Sequence, residues 1–94
     1  MVHWYIYNIM AKSIERVQTG VRIEKRLLKV LKGLAEYLDI SLGDLLEGMS
    51  LHCFDNKRPF SKETLLKIEQ LKKVYDCDLG ASDSHKLVEG EKSK

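Results

Sequence analysis

Cysteine is scarce in this chain. Cys53 and Cys77 are the two present in 94 residues, too few for a disulfide framework and in keeping with a reducing cytosol. No apolar run approaches the roughly 18 residues that a membrane helix needs, so a cytoplasmic protein with no membrane partner is expected. No phosphate-binding glycine loop, Gly-x-Ser-x-Gly elbow or zinc-binding helix motif occurs. His3, His52 and His85 are scattered between a terminus, a helix end and a tail. Catalysis requires nucleophile, base and orienting group to converge in one pocket, so the chain is read as a non-enzyme without a cofactor. His52, Cys53, Cys77 and His85 match no common zinc spacing, and adjacent residues on a helix point apart. No metal site is expected.

What is present is charge, unevenly spread. The net value of +2 hides alternating blocks. Residues 11–32 carry Lys12, Arg16, Arg22, Lys25, Arg26, Lys29 and Lys32 against Glu15 and Glu24, giving +5. Residues 33–55 carry Glu36, Asp39, Asp44, Glu47 and Asp55 with no lysine or arginine, giving −5. By the same count, residues 56–75 return to +4 and the tail 76–94 is −2. A concentrated basic block suits either a polyanion partner or a plain solvated face.

At this length the chain is one domain with a thin core, and association with another copy is a common remedy. Met1–Ile9 holds three of the seven aromatic residues and no acidic or basic side chain. It reads either as an extension upstream of a start at Met10 or as an extra strand or apolar arm that docks on a dimer. Together with the polar run to Arg16 it forms an N-terminal extension over residues 1–16, partly flexible.

Val17, Thr19, Val21 and Ile23 alternate with Gln18, Gly20 and Arg22, the period of a half-buried strand. A lone strand leaves its own backbone groups unpaired, so a second copy is the expected partner. From Lys25 to Leu38 the period becomes helical, with Leu27, Leu31, Leu34 and Leu38 on one stripe. Glu24 is a poor cap for this helix. Gly33 within it is either a close-packing point or a weak spot. After Asp39-Ile40, Ser41 is a good N-cap with Asp44 in a capping-box position. Leu42, Leu45, Leu46, Met49 and Cys53 form the stripe of a second helix ending near Phe54. A loop at 55–59 leads to Phe60, the cap Ser61 and a third helix over Lys62–Tyr75, with a loop-and-helix region of 55–80 and a tail of 81–94. Phe60 and Leu65 are placed to staple the start of that third helix.

The strand–helix–helix run over residues 17–54 resembles the ribbon-helix-helix superfamily of Arc/MetJ/CopG-type repressors. Ile23 lies 18 residues before Ser41, the spacing of that pattern. The resemblance implies a mainly α fold with one short β-strand, built as a ribbon-helix-helix homodimer with an added C-terminal helix. It implies a dimer core of Val21, Ile23, Leu27, Leu31, Leu34, Leu45, Leu46 and Met49. It assigns base contacts in the major groove of double-stranded DNA to Gln18, Gly20 and Arg22, where arginine chelates guanine and glutamine pairs with adenine. It assigns phosphate contacts to Ser41, Leu42 and Gly43, where free amides and the helix dipole attract anions. Lys25, Arg26 and Lys29 add flanking phosphate contacts. The implied function is a transcriptional regulator of the repressor type, a homodimer that can stack to higher order on DNA. The alternative is an antitoxin or adaptor that takes a protein partner through residues 60–94.

Overall fold

The computed structural model describes residues 12–90. The readings of Met1–Ile9 lie outside them. Among the described residues three helices follow one another, α1 over Lys25–Leu38, α2 over Leu42–Phe54 and α3 over Lys62–Val74, and a 3-10 turn lies at Ala81–Asp83.

The helix starts reflect capping chemistry. Ser41 Oγ accepts from the amide of Asp44 at 3.1 Å, and Ser61 Oγ accepts from that of Thr64 at 3.1 Å. Each bond satisfies one amide that the helix itself cannot. Glu24, expected to cap poorly, does the same job for α1: its Oε1 accepts from Leu27 N–H at 2.8 Å. Its longer side chain folds back over the first turn while Arg26 steadies the other oxygen at 3.1 Å.

The helix ends share one device. Asp39, Asn56 and Asp76 each take the left-handed conformation, with φ of 62°, 57° and 52°. The amides one residue later then reach back across the last turn, Ile40 to Ala35 O at 3.0 Å, Lys57 to His52 O at 2.8 Å and Cys77 to Lys72 O at 2.8 Å. Asp and Asn tolerate this conformation better than other non-glycine residues, and the bonds satisfy the last carbonyls of each helix.

Packing is centred on α1. Val30, Leu31, Leu34 and Ala35 are buried, and Leu45 of α2 joins them. Leu38, Leu42, Leu46, Met49, Phe60, Ile68 and Leu71 close around this centre. Helices α1 and α3 run antiparallel. Lys29 lies over the Tyr75 ring, Lys67 over the Tyr37 ring, and Gly33 faces Leu71 between them.

The expected β-strand is absent. Among the described residues the fold is all-α, and neither the strand over Val17–Ile23 nor the ribbon-helix-helix arrangement is seen. Alternation alone does not make a strand; a ladder partner is needed, and no described segment of this chain supplies one. Residues 12–24 precede α1 with no regular structure, and Val17 and Val21 are exposed. The stripes also need correction at their ends. Cys53, expected in the core of α2, is exposed, and Cys77 is the buried cysteine. The residues of the last turn of α2, Leu51 to Phe54, are all exposed. In α3, Ile68 and Leu71 pack inward, but Leu65 remains 44% exposed and so is a weak staple partner for Phe60.

Candidate nucleic-acid interface

The helical repeat of α1 places Lys25, Lys29 and Lys32 on the side away from its buried residues, and all three are exposed. Spacings of four and three residues put them on one stripe. None of them forms an ion pair among the described residues. Lys29 instead lies 5.9 Å from the centre of the Tyr75 ring, a contact that leaves its charge available.

The arginines behave differently. Arg16 makes a two-pronged contact with Glu47 of α2, Nε at 2.9 Å and Nη2 at 2.8 Å. That contact holds the Glu47 carboxyl below the usual carboxylate range and raises the Arg16 guanidinium further. Arg22 pairs with Glu89 of the tail. Arg26 bonds Glu24 at 3.1 Å, the Asp76 carbonyl at 2.9 Å and Asp78 Oδ1 at 3.3 Å. Its guanidinium is raised, first by the hydrogen bond to Glu24. The two arginines assigned to DNA by the resemblance are thus held by acidic groups of the same chain. Sequence reasoning did not identify Glu47, Asp78 and Glu89 as arginine partners. The available signal was the opposite charge of the blocks in which they lie.

Gln18, Gly20 and Arg22 occur on the exposed segment before α1. A side chain at position 20 would meet nothing within 4 Å, so no packing constraint among the described residues explains the glycine. Ser41, Leu42 and Gly43 open α2 as expected, and the Leu42 and Gly43 amides have no acceptor among the described residues. Asp44 in the same turn places a carboxylate beside them. The 14 residues of α1 separate this turn from Lys25 and Arg26, a distance of about 20 Å along the axis. One chain therefore does not gather the assigned phosphate contacts into one site. Of the assigned dimer core, Leu31, Leu34 and Leu45 are buried within the single chain, Ile23, Leu46 and Met49 are half-buried, and Val21 and Leu27 are exposed.

A second surface is apolar. Ile14, Leu46 and Leu51 line an open groove of about 560 Å³ together with Arg16, Glu47 and Ser50. Leu51 is 64% exposed, and Phe54 one turn further on is 81% exposed. Helix α2 thus carries apolar residues on both its inner and outer faces, the pattern of a helix covered on both sides.

No family model, curated protein or solved structure matches this chain.

Proposed function

We propose that this chain is a DNA-binding regulator of the repressor type that works as a homodimer. The observation that carries this reading is the exposed lysine stripe of α1, Lys25, Lys29 and Lys32, which has no carboxylate partner among the described residues. It continues into the segment bearing Arg22, while the acidic residues of 33–55 belong to the end of α1, the turn and α2. The phosphate backbone of DNA is the polyanion such a stripe fits, and binding through it must weaken steeply with salt.

The outer face of α2 supports the dimer. Leu51, Phe54 and Ile14 are apolar and exposed, and the groove beside them carries both Arg16 and Glu47 on its walls. The Arg16–Glu47 pair closes on itself within one chain, so what a second copy would cover through a two-fold patch is the exposed apolar surface. Packing of α3 against α1 through Leu71 and Ile68 makes that helix part of the chain's own fold. This weighs for the DNA reading over one in which residues 60–94 wrap a protein partner.

The test is fluorescence anisotropy of a labelled duplex at two salt concentrations, with wild type beside a Lys25→Glu, Lys29→Glu, Lys32→Glu triple variant. Salt-dependent binding is expected, together with a loss in the variant and a shallower salt slope, by about one per phosphate contact removed. Absence of binding by wild type at low salt would remove the reading.

A further inference from the structure

The antiparallel register of α1 and α3 brings Tyr75, at the end of α3, against Lys29 in the first half of α1. The segment after α3 therefore begins beside the basic start of α1. That segment is acidic: Asp76, Asp78, Asp83 and Glu89 against Lys86 within the described residues. It is also anchored there. Cys77 is buried, its amide is bonded to Lys72 O at 2.8 Å, and the Asp76 carbonyl accepts from Arg26 at 2.9 Å. Beyond the anchor, Gly80 N–H bonds Asp83 Oδ2 at 2.8 Å and Ser84 N–H bonds back to Ala81 O at 3.1 Å. These bonds turn the chain, and Glu89 then meets Arg22 while Asp78 meets Arg26.

We propose that residues 76–90 are an intramolecular competitor for the nucleic-acid surface. Glu89 holds the Arg22 guanidinium, and Asp78 joins Glu24 and the Asp76 carbonyl around that of Arg26. A phosphate backbone must displace the tail carboxylates of Asp78 and Glu89 to use Arg22 and Arg26 fully. This inference rests on the DNA reading above and adds a regulatory element to it. All four side chains are substantially solvent-exposed, between 39% and 85%. Each ion pair is therefore individually weak and exchangeable, as a displaceable competitor requires. Because the tail and the arginines belong to one chain, the competitor is always present at high local concentration.

The experiment compares duplex DNA binding by the full chain and by an Asp78→Asn, Glu89→Gln variant at low and moderate salt. A Glu63→Gln, Glu69→Gln variant serves as the control, because it removes the same charge from the exposed surface of α3. The tail variant is expected to bind roughly two- to tenfold tighter than wild type. The control is expected to gain less, and the tail effect is expected to vanish in an Arg22→Ala, Arg26→Ala background. Equal affinity of wild type and tail variant, or an equal gain in the control, overturns the inference and leaves DNA binding standing. No binding by any of these proteins at low salt overturns the inference and the DNA reading together.

Discussion

Gly33 of α1 and Leu71 of α3 meet where a side chain on the glycine would crowd the leucine: a Cβ at position 33 would lie 3.0 Å from Leu71 Cδ2 and 3.7 Å from the Tyr75 ring. The missing side chain lets the two helices approach. On either side of this point, Lys29 reaches over to Tyr75 and Lys67 reaches over to Tyr37, 4.9 Å from the ring centre. One glycine and two cation–ring contacts thus mark the antiparallel register that brings the acidic tail to the start of α1.

Two glycines in helices should therefore respond differently to alanine. At Gly48 a Cβ meets nothing within 4 Å, so Gly48→Ala is expected to stabilise by about 1 kcal/mol through helix propensity. Gly33→Ala gains the same propensity but pushes on Leu71, and its net gain is expected to be smaller. Gly33→Leu overfills the contact and is expected to cost about 1–3 kcal/mol. Urea unfolding of the three variants would check the order. A Gly33→Ala gain equal to that of Gly48→Ala would mean that Leu71 yields freely.

Cap removal provides a second test. Ser41→Ala and Ser61→Ala each delete a side-chain acceptor for one helix-start amide and are expected to cost about 1 kcal/mol each. The caps belong to different helices, so the double variant should show near-additive loss. Thermal or urea denaturation reads the result; a loss at Ser61 without one at Ser41 would mean that the start of α2 draws its stability from packing alone.

Glu24 gives α1 a pH dependence. Burial pushes its carboxyl upward, but the hydrogen bonds from the Leu27 amide and from Arg26 outweigh this and hold it below the ordinary carboxylate value. A carboxyl lowered in the folded state stabilises above its unfolded pKa, and the contribution fades as pH falls through the lowered folded value. Carboxyl-detected NMR should find Glu24 titrating below an unperturbed glutamate. Glu24→Gln should remove the corresponding acid-side loss of α1 order. An ordinary titration for Glu24 would place its carboxylate away from the helix start.

The outer face of α2 is the place to test association. Phe54→Glu and Leu51→Glu alter exposed side chains, so they should preserve helix content while weakening a dimer measured by sedimentation. Leu45→Glu instead puts a charge at a site 3% exposed and should destabilise the fold itself by several kcal/mol. A wild type that stays monomeric at every concentration would remove the dimer. Unchanged association in both Phe54→Glu and Leu51→Glu would do the same.

Arg22→Ala carries two opposed effects. It removes a guanidinium from the proposed DNA surface, and it also removes the Glu89 ion pair that the proposed competition makes DNA displace. If Arg22 contacts a base, specific affinity is expected to fall by about 1–3 kcal/mol with relaxed preference at one position. A uniform loss across sequences would assign it to phosphate instead. Competition binding against scrambled duplexes distinguishes these results.

The helices are legible in the sequence because their signals are local. The period of Leu27, Leu31, Leu34 and Leu38 locates α1, and Ser41 and Ser61 mark the starts of α2 and α3, where the structure has them. Charge blocks are equally plain, since they need no folding to count. The strand is misread because alternation records which faces differ, whereas a strand exists only when another backbone completes its hydrogen bonds. Cys53 is misplaced because periodicity carries a stripe to the end of a helix, whereas burial also needs a neighbour there, and the last turn of α2 is exposed. Only the tertiary structure decides between a weak spot and a contact at Gly33, chooses Cys77 over Cys53 for the interior, and sets Glu89 against Arg22. Each of these depends on the antiparallel docking of α3 on α1, a relation between segments some 40 residues apart that no local period encodes.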